Sequence, residues 1–120
     1  MKKRVLIIDD DARNIFALAA TLKAKKFETE ACDSGAQALA LLKTDVAFNA
    51  ILIDMMMPEM DGYETIPLIR KIPSRAHTPI IAVTAQAMLG DREKCLAAGA
   101  DNYLSKPVDV DHMLALLQHT

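Results

Sequence analysis

The sequence predicts one α/β domain built on a parallel sheet with helices on both faces. Segments typical of strands and of helices alternate five times along the 120 residues, without a linker, repeat or low-complexity segment. Such alternation implies parallel strands joined by right-handed crossovers. Polar residues directly follow four of the apolar runs, at the edge where open parallel sheets bind ligands. The length fits a single domain with its own core, which we assign to residues 1–120.

The predicted strands are short and mostly apolar. Ala50–Ile53 is continuously apolar, as expected of a central strand buried on both faces. Phe27–Cys32 alternates only weakly between apolar and polar residues, which favours an edge position. The predicted strands are Arg4–Asp9, Phe27–Cys32, Asn49–Asp54, Pro79–Val83 and Asp101–Ser105.

The predicted helices carry apolar residues at helical spacing. Ser34 and Gln37 form the pattern of a capping box at the start of the second helix, and Gly99 is typical of the residue that ends the fourth. Pro67 lies inside the third helix and cannot donate to the carbonyl of Tyr63, so we expect a distorted first turn or a kink. The predicted helices are Asn14–Lys25, the segment after Ser34, Tyr63–Lys71, Gln86–Ala98 and Asp109–Gln118.

Composition and charge exclude several classes of function. Fourteen basic and sixteen acidic residues give a net charge of −2, so there is no basic stripe for a nucleic acid. No apolar run approaches the ~20 residues that cross a membrane, and the first one ends at Asp9, too early for a signal peptide. Cys32 and Cys95 fit no metal or redox spacing. We therefore expect reduced, packed thiols in a cytoplasmic protein without a membrane partner.

Three carboxylates define the candidate site. Asp9, Asp10 and Asp54 end or follow the first and third predicted strands and should meet at one edge of the sheet. Carboxylates held together repel one another and raise each other's pKa, and a hard divalent cation offsets this repulsion. Mg²⁺ takes oxygen ligands from one or two carboxylates together with phosphate oxygens. The sequence therefore predicts a magnesium site. A lone aspartate after a strand is more often a helix cap, a role that suits Asp11.

Lys106 and Thr84 extend this site from two further strands. The Lys106 ammonium would neutralise the carboxylates or hold a phosphate oxygen, and the Thr84 hydroxyl is a donor at the same edge. Thr84 could equally serve only as a strand end or helix cap. The Lys106–Pro107 bond precedes a proline, where ~5–6% of bonds in folded proteins are cis, usually in tight turns. Its isomer stays open at this point.

Other residues that could carry chemistry fit no site. His77, His112 and His119 share no ligand spacing and are predicted to be solvated surface side chains. The run Met55–Met57 is interpreted as packing and as filling of the loop rather than as a soft-metal site. The four glycines are scattered, so the fingerprints of phosphate-binding and dinucleotide-binding loops are absent.

The motifs that hold these residues resemble, over the whole chain, the receiver domain of two-component response regulators. The matching motifs are Leu6–Asp11, Ile53–Gly62, Ile81–Ala85 and Ala98–Pro107. The stretch Asp91–Ala100 is most similar to receivers attached to, or serving, hybrid sensor histidine kinases.

The resemblance implies a doubly wound, flavodoxin-like (βα)5 fold with strand order 2-1-3-4-5. It implies that Asp54 accepts a phosphoryl group and that Asp10 and Asp54 bind Mg²⁺ directly. The backbone carbonyl of Met56 would be the third protein ligand, with Asp9 acting mainly through water. Met56 and Gln86 occupy positions that tune the lifetime of the phosphoryl group in this family, so that lifetime stays open.

The resemblance also implies how the site would act as a switch. Lys106 would bind the phosphoryl group, and the bond before Pro107 would be cis. Thr84 and Tyr103 would be the switch pair, which reshapes the face made by the fourth helix, fifth strand and fifth helix. The phosphoryl donor would be a sensor histidine kinase or a histidine phosphotransfer protein. The domain would catalyse only its own phosphorylation and dephosphorylation, and a weak homodimer through the switch face is compatible with it. It would be either free-standing or part of a larger kinase.

Two other functions fit part of the pattern. A phosphohydrolase would use Asp9 as nucleophile, because Asp9 and Asp11 have the Asp-x-Asp spacing of haloacid-dehalogenase-like enzymes. That hypothesis leaves Asp54 without a role and lacks the usual downstream acid pair. A non-phosphorylated interaction module that kept the fold is the second alternative, and it would be favoured if millimolar Mg²⁺ did not perturb the protein.

Overall fold

The sheet has five parallel strands in the order β2-β1-β3-β4-β5, in a computed structural model that describes residues 3–85 and 90–118. The strands are β1 Arg4–Ile8, β2 Glu28–Cys32, β3 Ala50–Asp54, β4 Ile80–Thr84 and β5 Asn102–Ser105. The predicted fold class and strand order are confirmed. As predicted, β3 is buried along its whole length and β2 is an edge strand with mostly exposed residues.

Helices cover both faces of the sheet. They are α1 Ala12–Ala24, α2 Gly35–Leu42, α3 Gly62–Arg70, α4 Asp91–Ala98 and α5 Val110–Gln118, with a short 3-10 turn at Pro73–Arg75. Helices α2, α3 and α4 pack in one apolar cluster against the sheet, and α1 and α5 pack in another on the opposite face. The chain therefore places two helices on one side of the sheet and three on the other, as a doubly wound fold requires.

The fourth helix differs from its prediction. Gly90 has φ of 94°, a left-handed conformation that cannot continue a helix. A continuous helix from Gln86 to Ala98 is therefore wrong, because α4 begins at Asp91. Gln86 itself lies outside the described residues. Gly99 ends the helix with φ of 120°, in agreement with its prediction as the C-cap.

The helix caps are partly those the sequence predicts. The Ser34 side chain accepts from the Gln37 N–H at 3.1 Å. The Gln37 side chain, however, accepts from the N–H of Asp33 at 2.8 Å, one residue before the position that a capping box requires. The structure has its complete capping box at Asp61 and Glu64 instead. Helix α3, which this box opens, continues from Gly62 to Arg70 through the exposed Pro67.

Strand register brings the candidate residues to one edge. In the parallel pairs, Ile8 lies opposite Ile53, and Asp54 lies opposite Val83. Thr84 in turn lies opposite Ser105. The residues at and directly after these strand ends therefore meet at the carboxyl ends of β1, β3, β4 and β5, where open α/β sheets bind ligands.

Candidate functional site

The three predicted carboxylates converge at this edge. Three carboxylate oxygens, one each from Asp9, Asp10 and Asp54, lie within 4.8 Å of one another. Asp9 is 3% exposed and Asp54 is 5% exposed, whereas Asp10 faces solvent. Among residues 3–85 and 90–118, this is the one group of three or more His, Cys, Asp or Glu side chains close enough to share a metal ion.

Local hydrogen bonds decide which of the consecutive aspartates point inward. Strand β1 ends at Ile8, and Asp9 Oδ1 then accepts from the N–H of Asp11 at 2.9 Å. Asp11 turns the other way and caps α1, because its Oδ1 accepts from the Arg13 N–H at 2.9 Å. That bond holds the pKa of Asp11 below its ordinary value. Asp9 and Asp10 are thus left at the site, and Asp11 has the capping role that its position suits.

Burial makes the Asp9 carboxylate costly to ionise. Desolvation raises its pKa above the ordinary value, and the charge of Asp54 adds to the effect. The Asp11 N–H and the Lys106 ammonium act in the opposite direction without cancelling it. A buried carboxylate with a raised pKa beside a second one is the arrangement that a divalent cation stabilises.

The Asp54 carboxylate is held at both oxygens. Its Oδ1 accepts from the N–H of Met56 at 3.0 Å, and its Oδ2 lies 3.4 Å from the Lys106 ammonium. Met55 and Met57 are buried on either side of the exposed Met56, so they anchor the loop after β3 in the core. Met55 and Met57 thus have a packing role, and the exposed Met56 fills the loop between them.

Lys106 bridges two of the three acids. Its ammonium lies 3.6 Å from Asp9 Oδ2 as well as close to Asp54. The backbone N–H of Lys106 donates to the carbonyl of Thr84 at 2.8 Å, and the Lys106–Pro107 peptide bond is cis. Within the part of the chain that the structure describes, one ammonium faces three carboxylates, so the site has excess negative charge and suits a hard cation with oxygen ligands.

Thr84 and Tyr103 occupy neighbouring strands. Thr84 ends β4 and is 1% exposed. Tyr103 lies in β5 opposite Ala82, and its partly buried ring packs against the cluster under α2, α3 and α4. Burial raises the pKa of the Tyr103 phenol, and the charge of Asp91 adds to the effect.

A second polar cluster was not predicted from the sequence. Asp91 is buried at the start of α4, and the hydroxyl of Tyr63 lies 3.8 Å from the thiol of Cys95. The spacing of four residues between Asp91 and Cys95 is the one signal that could have placed both on one helix face. Tyr63, which contacts the Cys95 thiol, comes from α3, an element far away in sequence.

The remaining candidates stand apart from the site. His77 and His112 are exposed, and His119 lies outside the described residues. Cys32 and Cys95 are buried as free thiols. Within residues 3–85 and 90–118, no helix is long and apolar enough to cross a membrane.

Sequence comparison relates the chain to a known family. The family model of the response regulator receiver domain matches residues 5–118. The chain is 42% identical over 113 residues to the signal transduction histidine-protein kinase BarA of Escherichia coli (strain K12), covering 94% of the chain and 12% of that kinase. It is 37% identical over 109 residues to the response regulator PleD of Caulobacter vibrioides (strain NA1000 / CB15N), covering 91% of the chain and 24% of that protein. The chain thus spans a small part of these relatives.

Solved structures of similar chains have the same fold. The receiver domain of the sensor histidine kinase PA1611 from Pseudomonas aeruginosa PAO1 superimposes with a TM-score of 0.90 at 33% identity, over 99% of this chain and 97% of that one. That crystal structure has a magnesium ion coordinated in the active site cleft. The chemotaxis protein CheY4 of Vibrio cholerae superimposes with a TM-score of 0.91 at 28% identity, over 99% of this chain and 98% of that one.

Proposed function

The chain belongs to the response regulator receiver domain family, and from this premise we propose that Asp54 accepts a phosphoryl group from a phosphohistidine of a partner protein. The partner is a sensor histidine kinase or a histidine phosphotransfer protein. The single observation that carries the proposal is the Asp54 carboxylate, buried beside two further acids and 3.4 Å from the Lys106 ammonium.

The transfer is a displacement at phosphorus. An Asp54 carboxylate oxygen forms a bond to phosphorus while the phosphorus–nitrogen bond of the phosphohistidine breaks, and the imidazole leaves and takes up a proton. The Met56 N–H holds Oδ1 of Asp54, which orients the carboxylate for attack. Lys106 offsets the negative charge of the phosphoryl oxygens, and catalysis of this reaction is largely positioning and electrostatic stabilisation.

Asp10, Asp54 and the backbone carbonyl of Met56 are proposed to bind Mg²⁺ directly, with Asp9 acting mainly through water. The close approach of the three carboxylate oxygens and the raised pKa of Asp9 support this assignment, because hard oxygen ligands with excess negative charge suit this ion. An ion held by these residues would supply positive charge that offsets the charge of the phosphoryl oxygens.

Thr84 and Tyr103 are proposed to be the switch pair. A phosphoryl group on Asp54 offers the Thr84 hydroxyl a new acceptor, and the Tyr103 ring responds to the space that Thr84 leaves. The face made by α4, β5 and α5 then changes shape, so a local charge event alters a partner-docking surface. The position of Thr84 at the end of β4, between the strands that carry Asp54 and Tyr103, supports this role.

The domain is proposed to end the signal by hydrolysing its own acyl phosphate, with water attacking the same phosphorus. We also propose that it acts in the cytoplasm without nucleic acid or membrane partners, and that any homodimer through the switch face is weak. The buried free thiols of Cys32 and Cys95 support a reducing compartment.

The proposal is tested by intact mass after incubation with Mg²⁺ and acetyl phosphate. The wild type is expected to gain one phosphoryl adduct that Asp54→Asn does not gain. Asp9→Asn should retain the adduct at a lower yield, because Asp9 assists the site without being the acceptor. An adduct that survives Asp54→Asn but disappears in Asp9→Asn would instead identify a phosphohydrolase-type nucleophile.

A second phosphoryl donor distinguishes a receiver that requires its protein partner from the remaining alternative, an interaction module. If acetyl phosphate leaves the wild type unmodified, a phosphorylated histidine kinase or phosphotransfer protein replaces it in the same assay. Labelling at Asp54 by that donor would support a receiver that requires its protein partner. The lack of labelling by either donor would overturn the proposal in favour of an interaction module.

A further inference from the structure

Met56 is the exposed member of a run of three methionines. It is 48% exposed, whereas Met55 is fully buried and Met57 is 6% exposed. Met60 is partly buried, and its sulfur would lie 2.9 Å from a Cβ atom placed on Gly35, so it packs against the start of α2. Within the part of the chain that the structure describes, Met56 is therefore the methionine that is open to dissolved reagents.

The backbone places this exposed residue directly beside the proposed phosphoryl acceptor. The N–H of Met56 donates to Oδ1 of Asp54 at 3.0 Å. Because a Cβ atom lies about 2.5 Å from its own amide nitrogen, the Met56 side chain begins within about 5.5 Å of that oxygen. Asp54 itself is only 5% exposed. Met56 thus joins a solvent-exposed thioether to a carboxylate that solvent barely reaches.

The loop that carries Met56 is fixed on both sides of it. The N–H of Met55 donates to the carbonyl of Val83 at 2.9 Å, and its carbonyl accepts from the N–H of Gly62 at 3.2 Å. A Cβ atom at Gly62 would lie 2.8 Å from the Cα of Met55, so α3 begins in direct contact with this backbone. Met57 is buried on the other side. Since packed interiors have little free volume, Met56 cannot withdraw from solvent without disturbing its neighbours.

We propose that Met56 is a site of reversible oxidation by peroxides, and that its sulfoxide shortens the lifetime of the phosphoryl group on Asp54. The sulfur forms a bond to one oxygen of hydrogen peroxide while the O–O bond breaks. The sulfur loses two electrons, and the other oxygen leaves as water after taking up the proton of the transferred oxygen. Methionine sulfoxide reductases reverse the change. The inference rests on the proposed function, because it concerns the group that Asp54 accepts.

The thioether and the sulfoxide differ in how they interact with water. A thioether sulfur is a weak hydrogen-bond acceptor, so Met56 holds water only weakly beside Asp54. Oxidation makes the side chain polar, and the sulfoxide oxygen accepts hydrogen bonds from water. A water molecule held next to the acyl phosphate is close to the phosphorus that it attacks, and such proximity lowers the barrier. The sulfoxide should therefore speed hydrolysis of the acyl phosphate.

The site of oxidation is tested first, on the folded protein without any phosphoryl donor. The protein is treated with hydrogen peroxide, the reaction is stopped with catalase, and the chain is unfolded and cut with trypsin. Residues 44–70 contain no internal lysine or arginine and carry four methionines, so one peptide reports all of them. Fragmentation of this peptide in the mass spectrometer is expected to place the first added oxygen on Met56, before Met55, Met57 or Met60.

The lifetime is then measured by intact mass, after labelling with acetyl phosphate and Mg²⁺ and removal of the donor. Peroxide treatment before labelling is expected to speed loss of the phosphoryl group from the wild type by roughly fivefold, the rate equivalent of one ordinary hydrogen bond. Treatment with methionine sulfoxide reductases should restore the original rate. Met56→Leu should have one rate before and after peroxide, whereas Met60→Leu, which removes a partly buried thioether from the same peptide, should stay as sensitive as the wild type.

A substitution supplies the polar oxygen without an oxidant. Met56→Gln places a carboxamide oxygen near the position of the sulfoxide oxygen, and it keeps the backbone N–H that holds Asp54. Untreated Met56→Gln is therefore expected to lose its phosphoryl group faster than untreated Met56→Leu. Because both variants lack the thioether, neither rate should change with peroxide.

Three outcomes would overturn the inference and leave the proposed function intact. The first oxygen could enter Met55, Met57 or Met60 instead of Met56. The oxidised wild type could lose its phosphoryl group at the same rate as the untreated protein, or Met56→Leu could be accelerated by peroxide as much as the wild type. If the untreated wild type accepts no phosphoryl group from acetyl phosphate or from a phosphorylated partner, the proposed function fails and the inference fails with it.

Discussion

The ammonium of Lys106 lies 3.4 Å from Oδ2 of Asp54, although 52 residues separate the two in the sequence. The same ammonium lies 3.6 Å from Asp9. A single cation thus balances the two buried members of an acidic cluster. Breaking a buried pair leaves an uncompensated charge, which is costly, so the site constrains both the stability of the fold and its chemistry.

Lys106→Met is expected to slow phosphorylation by acetyl phosphate by about 10²-fold, because one preorganised charge that stabilises the phosphoryl oxygens is lost. The rate is followed by intact mass in the presence of Mg²⁺. Lys94→Met, on the exposed side of α4, is the control and should keep the wild-type rate. Equal rates for the two variants would contradict the role of Lys106.

Asp9→Asn is expected to stabilise the metal-free protein by an amount on the order of 1 kcal/mol. The amide keeps an acceptor for the Asp11 N–H and removes a carboxylate that burial and Asp54 make costly to ionise. The stabilisation that Mg²⁺ gives should shrink in the same variant, because less repulsion is left to relieve. Thermal unfolding with and without Mg²⁺ measures both effects, and a lower midpoint for metal-free Asp9→Asn would contradict the first.

Asp11 should make the stability of α1 depend on pH. Its pKa is lowered in the folded protein, chiefly by the hydrogen bond from the Arg13 N–H. The folded state therefore binds this proton less readily than the unfolded state. The stability from the ionised cap is fully present above the ordinary pKa of 3.8 and is lost as the pH falls through the lowered value.

The comparison that isolates this effect is with Asp11→Asn, which keeps the cap and loses the titration. The difference in unfolding free energy between wild type and variant should be constant near neutral pH and should shrink below the ordinary pKa. If this difference in unfolding free energy stays constant down to pH values well below the ordinary pKa of Asp11, the charge of Asp11 does not contribute to stability.

Lys26→Gly is expected to stabilise the protein by about 1 kcal/mol. Lys26 follows α1 with φ of 70°, a left-handed conformation that costs a residue with a Cβ about 1–2 kcal/mol relative to glycine. The matched control is Lys25→Gly, because Lys25 has φ of −100° and glycine there only adds freedom to the unfolded chain. The midpoint of denaturant unfolding should therefore rise for Lys26→Gly and fall for Lys25→Gly.

Arg75→Met is expected to destabilise the protein by about 3 kcal/mol, through the loss of several buried hydrogen bonds. The buried guanidinium donates to the carbonyls of Leu42 at 3.1 Å, Thr44 at 3.2 Å and Val46, and lies 5.7 Å from the centre of the Phe48 ring. These carbonyls belong to the end of α2 and the loop after it, which would lose their donors.

The control for this prediction is Arg92→Met, at an exposed position of α4. Both variants make the same exchange of arginine for methionine, so the difference between them reports the buried contacts. Unfolding midpoints in denaturant that agree for the two variants would show that Arg75 does not hold the α2–β3 loop.

Much of the site could be predicted because its residues follow strands that are readable locally. Asp54 and Thr84 end apolar runs, and parallel strands deliver such ends to one edge of the sheet. The second cluster could not be predicted in this way. Tyr63 and Cys95 come from α3 and α4, and neither of them ends a strand, so only the packing of α3 against α4 brings the hydroxyl and the thiol within 3.8 Å.

By itself, the sequence determined the α/β alternation, the buried central strand and the set of polar residues at the sheet edge. These are properties of local apolar periodicity and of residues next to it. The tertiary structure decided how Asp9, Asp10 and Asp11 divide their roles, because side-chain alternation ends with β1 at Ile8 and a turn then sets each direction. It also decided that α4 begins only after Gly90, because backbone conformation there, rather than apolar periodicity, determines where a helix can start.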